Sequence, residues 1–359
     1  MKIAVITCYW QPDYVRARTL RTALASVPGV ELIVVKNKQK GILRFPEVFW
    51  KVLKLRFTER PDAYITTFRS YEIMLYMWLI AGRKPLVFDE LVNFAEWMVE
   101  HKKLKEGTFL YKLFVAWYGF FVRRARFVLA DTEPHAAYSA KIWGLDVEKR
   151  YIVLPMAADE TIFRPDAGPR RPRTDKQFRV FYYGNKMLPL HGIDYVLDAA
   201  VKLAKYPDIQ FLLLGGRSTT AEKVAAAQAK GAHVAHKDWL PFDEFPPIIC
   251  DADLALGGPF GGTLQSKFVV NGKTTQFMAC ETPVVVGRNE VNQQFYDKRN
   301  CLVVEQADAQ ALADAILWGY EHRRELRAIG REGRKTYDQY FAQRVVNERV
   351  AGMVAALEK

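Results

Sequence analysis

The stretch from Gly257 to Gly287, GGPFGGTLQSKFVVNGKTTQFMACETPVVVG, sets a lysine and a glutamine ahead of an apolar run that reads as a buried strand. Lys273 and Gln276 are three residues apart, close to one helical turn, so on a helix they share a face. A core segment needs neither. Gly261 and Gly262 let backbone N–H groups approach an anion, and a helix starting near Thr263 would point its positive end at it. The Lys273 ammonium adds a cationic donor suited to phosphate. The same residues also read as a turn followed by a solvated helix start, and the stretch alone leaves both readings open.

No other cluster announces a nucleophile or a general base. The six histidines are scattered and no Ser-His-Asp order stands out. The four cysteines (Cys8, Cys250, Cys280, Cys301) form no CxxC pair and no zinc spacing, which reads as buried, reduced thiols in a reducing compartment.

The elements that must hold these residues alternate. KIAVITCYW reads as a buried strand, RARTLRTALASV as a helix and VELIVVK as a second strand; DAYITTF, PLVFDE and FVLADT are further strands between helical stretches. After FRPDAGPRRPRTDKQ, rich in proline and charge, the pattern restarts with FRVFYYG, IQFLLLGG, AHVAHKDWL, ADLALGG, TPVVVG and NCLVVE. Such alternation implies parallel strands with crossover helices. The expected fold is α/β, with two facing Rossmann-like domains and a ligand cleft between them. Its divisions are an N-terminal domain over 1–165, a linker over 166–176, a second domain over 177–335, and a last helix over 336–359 that packs back on the first.

Half of the 359 residues are hydrophobic, enough for real cores. No run reaches about 18 apolar residues, as a membrane-crossing helix needs. The N-terminus lacks the pattern of a signal peptide, so a cytoplasmic protein is expected. The formal net charge of +12 is localised: residues 36–60 and 101–126 each carry +6, and the remainder sums to zero. Within them, 42–57 and 102–127 interleave Phe, Trp, Tyr and Leu with Lys and Arg. That composition suits amphipathic helices on an anionic leaflet, peripheral at the inner face of the cytoplasmic membrane. A buried crossover helix with charged ends is the competing reading. Nucleic acid is not an expected partner, since no helix-turn-helix, RNP or zinc signature accompanies the charge.

Three stretches in order resemble the retaining glycosyltransferases of the GT-B fold, of the family 4-like, group 1 type. VLPMAADETIFRP (153–165) is similar to the family's interdomain signature V-I-P-N-G-V-D-x-x-x-F-x-P. YYGNKMLPLHGIDYVLDAA (182–200) is similar to V-G-R-x-x-x-x-K-G-I-D-x-L-L-x-A, and NGKTTQFMACETPVVVG to P-x-K-x-x-E-x-M-A-C-G-x-P-V-V. The chain departs from the pattern at the paired Glu, where Phe268 and Gln276 stand, at the Arg, which is Asn185, and at the Lys, which is His191. It most resembles a branch that reads P-L-x-G-I-D and carries F-G-x-T, matched by Phe260, Gly261 and Thr263.

The resemblance implies transfer of a sugar, with retention, from a nucleotide-diphosphate sugar to a lipid-linked or other membrane-proximal saccharide, in envelope glycan or glycoconjugate synthesis. It implies donor binding by Asn185, Lys186, His191, Trp239, Phe260, Gly261, Gly262, Thr263, Lys273 and Gln276. Lys273 would meet the diphosphate, Gln276 the ribose and Trp239 the base, with packing the alternative for a Trp that precedes Leu-Pro. Asp89 and Glu90, in FDELVN at a strand end, become the candidate catalytic pair on the acceptor side, with helix capping the alternative for Asp89; Glu133 in ADTEPH is a weaker candidate. The resemblance also implies that no metal and no cofactor are required, and that no general base is needed where the departing phosphate itself takes the acceptor's proton. A catalytically silent scaffold of the same fold, binding a membrane or a partner enzyme, is the alternative that the missing Glu and Arg raise.

Overall fold

The computed structural model describes residues 1–169, 176–216 and 218–358, so residues 170–175 of the linker expected over 166–176 lie outside the described residues. The chain forms two compact units, Met1–Ala157 with Gln343–Lys359, and Ala158–Ala342.

The first unit is built on β1 (Lys2–Thr7), β2 (Glu31–Lys36), β3 (Ala63–Thr66), β4 (Leu86–Asp89), β5 (Phe127–Ala130) and β6 (Tyr151–Val153), all parallel in the order β2-β1-β3-β4-β5-β6. β3, β4 and β5 are buried along their whole length because helices cover both faces, which is why they read as continuous apolar runs. The helix Gln343–Leu357 completes this unit, with Gln343 Nε2 donating to Thr19 O at 3.0 Å on the helix Val15–Ala25.

The second unit repeats the architecture with β7 (Phe178–Tyr183), β8 (Ile209–Leu214), β9 (Val234–Lys237), β10 (Leu254–Leu256), β11 (Val284–Gly287) and β12 (Leu302–Val304), parallel in the order β12-β11-β10-β7-β8-β9. After β9 the chain returns to the other side of β7. The order therefore reverses between β7 and β10, and a crevice opens at their carboxyl ends where open α/β sheets bind ligands. In the first unit the reversal falls between β1 and β3.

Among the described residues no helix is long and apolar enough to cross a membrane. All four cysteines are free and buried.

Candidate functional site

The second unit's reversal point gathers three loops. β7 runs out through Tyr183 into Gly184, and β10 into Gly257. The helix Gly272–Ala279 starts beside them, tied down by Asn271, whose Nδ2 donates to Gly257 O at 3.0 Å. That helix begins nine residues after the Thr263 start that the glycine run predicts. Thr263 instead opens a 3-10 turn, Gln265–Lys267, its Oγ1 accepting from Ser266 N.

Lys273 is the second residue of this helix and only 6% exposed. Its Nζ donates to Tyr183 O at 3.2 Å and lies 3.9 Å from the centre of the Tyr182 ring. Burial alone pushes its pKa well below the usual lysine value, since no carboxylate lies near enough to support the charge. His191 ends the turn Pro189–His191, which Tyr182 pins by donating its hydroxyl to His191 O at 2.8 Å. Burial first, and the Lys273 charge second, push the His191 pKa down to about 3, so the ring is neutral at pH 7.

Two buried side-chain polar atoms of the second unit lack a partner among the described residues: His191 Nδ1 and Thr274 Oγ1. Each faces a glycine. A Cβ on Gly184 would stand 3.1 Å from His191 Nδ1, and one on Gly257 2.5 Å from Thr274 Oγ1. Buried polar atoms are normally hydrogen-bonded, and an anion with several acceptor oxygens is a group that could satisfy a cation without a counter-ion and two unpartnered atoms together.

Gln276 also turns to the end of β7, its Oε1 accepting from the Tyr183 hydroxyl. Lys273 and Gln276 thus converge on Tyr183 from one helix face, as their spacing implies. Asn185 and Lys186 are exposed on the loop after β7, and Gly262 is exposed at φ +62°. Trp239 is 74% exposed beyond β9, the sheet's edge strand, two strands from β7 and so roughly 10 Å to the side.

Two expected ligand contacts belong to packing instead. Phe260 is buried in the core with Ile193 and Val196. The Gly261 N–H donates to Leu190 O at 3.1 Å and is not offered to an anion. Gly261 is required for a different reason: a Cβ there would lie 1.9 Å from Pro189 O, while one on Gly192, at φ +68°, would lie 2.7 Å from Phe260 C. The loops bearing His191 and Phe260 interlock through these two glycines.

The carboxylates expected as a catalytic pair in the first unit are buried and hydrogen-bonded within it. Asp89 and Glu90, each 1% exposed, are held within the fold. Arg16 Nε donates to Asp89 Oδ1 at 2.8 Å, and Arg16 Nη1 to Leu154 O at 2.7 Å. Glu90 accepts from Tyr71 and Ser139 hydroxyls, from Trp143 Nε1 at 2.5 Å and from the Tyr151 hydroxyl at 3.0 Å. Carboxylates so engaged brace the ends of β4 and β5, because an ion buried here must be paired and hydrogen-bonded. Glu133 is exposed at its helix start. The buried groups of ADTEPH are its neighbours: His135 Nδ1 lies 2.7 Å from Asp131, and its Nε2 3.8 Å from Glu96. Burial disfavours the imidazolium, yet Asp131 and Glu96 outweigh it and raise the His135 pKa to about 9. Burial pushes Glu96 up to about 7.

Sequence reasoning missed Arg16, Tyr182, Tyr183, Thr274, Glu96 and His135. For Tyr183 the signal was its place as the last strand residue at the sheet's reversal; for Arg16, its place in the first turn of the helix after β1.

The basic segments fold as helices of the first unit. Arg44–Thr58 buries Val48, Val52 and Leu55 and exposes Trp50 and Phe57. Phe109–Val122 buries Gly119, Phe121 and Val122 near its C-terminus and exposes its N-terminal half. Between them lies Met74–Ala81, which exposes Leu75 and Leu79. Ring contacts of Phe49 with Tyr76 at 5.5 Å and of Trp78 with Phe120 at 5.3 Å set the three side by side.

Comparison with known proteins agrees with this architecture. Residues 177–322 match the family described as glycosyl transferases group 1. Sucrose-phosphate synthase from Thermosynechococcus elongatus is similar over 99% of this chain and 99% of its own, at 17% identity and a TM-score of 0.77. Anabaena HepE, solved in complex with UDP, is similar over 99% of this chain and 100% of its own, at 15% identity and a TM-score of 0.73. TarM is similar over 85% of this chain and 58% of its own, at 15% identity and a TM-score of 0.63. No curated protein sequence matches significantly. The two parallel sheets with their helices are the GT-B fold of glycosyltransferases.

Proposed function

With a group 1 glycosyltransferase domain in residues 177–322 and the GT-B fold around it, we propose that this protein moves a sugar from a nucleotide-diphosphate sugar to a lipid-linked or other membrane-proximal saccharide, with retention, in envelope glycan or glycoconjugate synthesis. The observation that carries the reading is Lys273: a buried cation with no carboxylate beside it, next to the unsatisfied His191 Nδ1 and Thr274 Oγ1. A diphosphate supplies the missing negative charge and the acceptor oxygens together. HepE has been solved with UDP-glucose, which makes a UDP-sugar the first donor to try.

In the proposed reaction the bond from the sugar's anomeric carbon to the phosphate oxygen breaks, and a bond to the acceptor oxygen forms on the same face. The acceptor's proton passes to the leaving phosphate. Lys273 stabilises the charge that grows on the diphosphate, while neutral His191 and Thr274 orient its oxygens. Asn185 and Lys186 reach it from the loop after β7, Gln276 takes the ribose and Trp239 covers the base. A lysine in this position supplies the cation, so no metal is proposed, and a chelator is expected to leave transfer intact. The three-helix face with its localised charge is proposed to rest on an anionic leaflet, which supplies the acceptor.

Titration with UDP- and GDP-sugars tests the donor site, and the anomeric coupling in the product tests retention. Lys273→Ala should weaken donor binding about thirtyfold or more, the cost of truncating one partner of a desolvated charge pair. A second reading, a silent scaffold, is favoured by the engagement of Gln276 with Tyr183 and the burial of Phe268. It predicts donor binding without turnover.

A further inference from the structure

The helix Phe109–Val122 is anchored at one end only. Its C-terminal half enters the first unit's core, while Leu110, Leu113 and Trp117 are each more than half exposed. Their spacing of three and four residues places them on one face. Beside that face Phe114 and Tyr118 pack on Phe94, with ring centres 5.2 and 5.1 Å away. The apolar face of Leu110, Leu113 and Trp117 stands at the surface, with Lys112 on the opposite side of the helix.

Leu104, Leu110, Leu113, Phe114 and Trp117 enclose an open groove of about 420 Å³ with no charged or polar residue in its lining. Lys102, Lys103 and Lys105 flank Leu104 in the chain and are exposed, with one carboxylate, Glu106, beside them; none of the three lysines is ion-paired among the described residues. The segment 101–126 carries +6. A second copy of this chain is disfavoured, because a symmetric contact would set the lysines beside one groove against those of the other. An extended hydrocarbon chain below an anionic headgroup satisfies both features, with the groove taking the chain and the lysines the phosphate.

We propose that this groove is a lipid-chain site, which draws one hydrocarbon chain of an anionic membrane lipid out of the leaflet and seats it along the helix Phe109–Val122. The proposal deepens the membrane side of the function given above and rests on it. It places one chain in a built groove, where that reading asks only for adsorption on charge.

The test uses full-length protein with vesicles of phosphatidylcholine mixed with phosphatidylglycerol, with and without bromine on the acyl chains. Brominated chains should quench tryptophan emission, and most of that quenching should be lost in Trp117→Phe. Leu110→Gln with Leu113→Gln should weaken vesicle binding about tenfold or more, while UDP-sugar binding stays unchanged as a check on folding. Binding to anionic vesicles with no quenching traceable to Trp117 would overturn the chain site and leave surface adsorption standing. No vesicle binding at all would overturn both. Concentration-dependent self-association abolished by the same double substitution would assign the groove to a protein contact and also overturn the proposal.

Discussion

Both units bury charge at the carboxyl ends of parallel strands, and they treat it in opposite ways. In the first, Arg16 meets Asp89, His135 meets Asp131, and Glu90 accepts hydrogen bonds from four aromatic and hydroxyl groups. In the second, Lys273 has a carbonyl and a ring face but no anion. A compensated buried charge holds its own surroundings together. An uncompensated one costs stability and persists where a ligand restores the balance. In the first unit opposite charges stand together, although Asp89 Oδ2, both Glu96 carboxylate oxygens and His135 Nε2 lack a hydrogen-bond partner among the described residues; in the second no opposite charge accompanies Lys273.

The largest effect expected from breaking this contrast is in the first unit. Arg16→Met strands Asp89 inside the fold and should cost about 3–5 kcal/mol, read as a fall in Tm or in soluble yield. In the second unit the sign reverses. Lys273→Met removes a cation that burial disfavours, so the unliganded protein should melt at an equal or higher temperature while donor binding falls about thirtyfold or more. A Tm that drops as far as that of the Arg16 variant would erase the distinction.

Gly261→Ala sharpens the comparison from the backbone side. Its Cβ would meet Pro189 O, so the loop carrying His191 must shift. The expected cost is about 1–3 kcal/mol by overpacking, together with loss of donor affinity, both measurable by thermal shift with and without UDP.

The smallest effect is the pH response of the first unit. The His135 pKa is raised above its unfolded value, so its stabilising contribution is complete below about pH 6.5 and is lost as pH climbs through about 9. His135→Gln should flatten that decline in a melting series over the same range.

Much of the architecture was legible in the sequence because parallel strands covered on both faces must be continuous apolar runs, and these mark themselves. β6 was not read as a strand, since Tyr151–Val153 leads straight into the VLPMAAD stretch without a turn to set it apart. In the site, Lys273 and Gln276 were readable because one helical turn brings them to a common strand end. The errors share one physical source. Asp89 and Glu90 look like chemistry in a sequence because carboxylates at a strand end are rare, but their partners lie 19 to 73 positions away. Gly261 looks like an anion loop, and only the packed neighbour Pro189 shows why it must be glycine. Tyr183 carried no chemical signal until folding set its carbonyl under Lys273.

The central claim is that Lys273, a buried cation with no carboxylate beside it, is compensated by the diphosphate of a nucleotide sugar. Burial depresses its pKa and a bound diphosphate would raise it, so any change in protonation on binding is an uptake of protons. Calorimetric titration of UDP-glucose and GDP-mannose near pH 8, in two buffers of different ionisation enthalpy, measures this directly, since neither diphosphate diester titrates there. The account predicts binding weakened about thirtyfold or more in Lys273→Met, with any proton uptake lost in that variant. Binding undiminished in the variant, proton release in place of uptake, or no binding of either sugar nucleotide would contradict it.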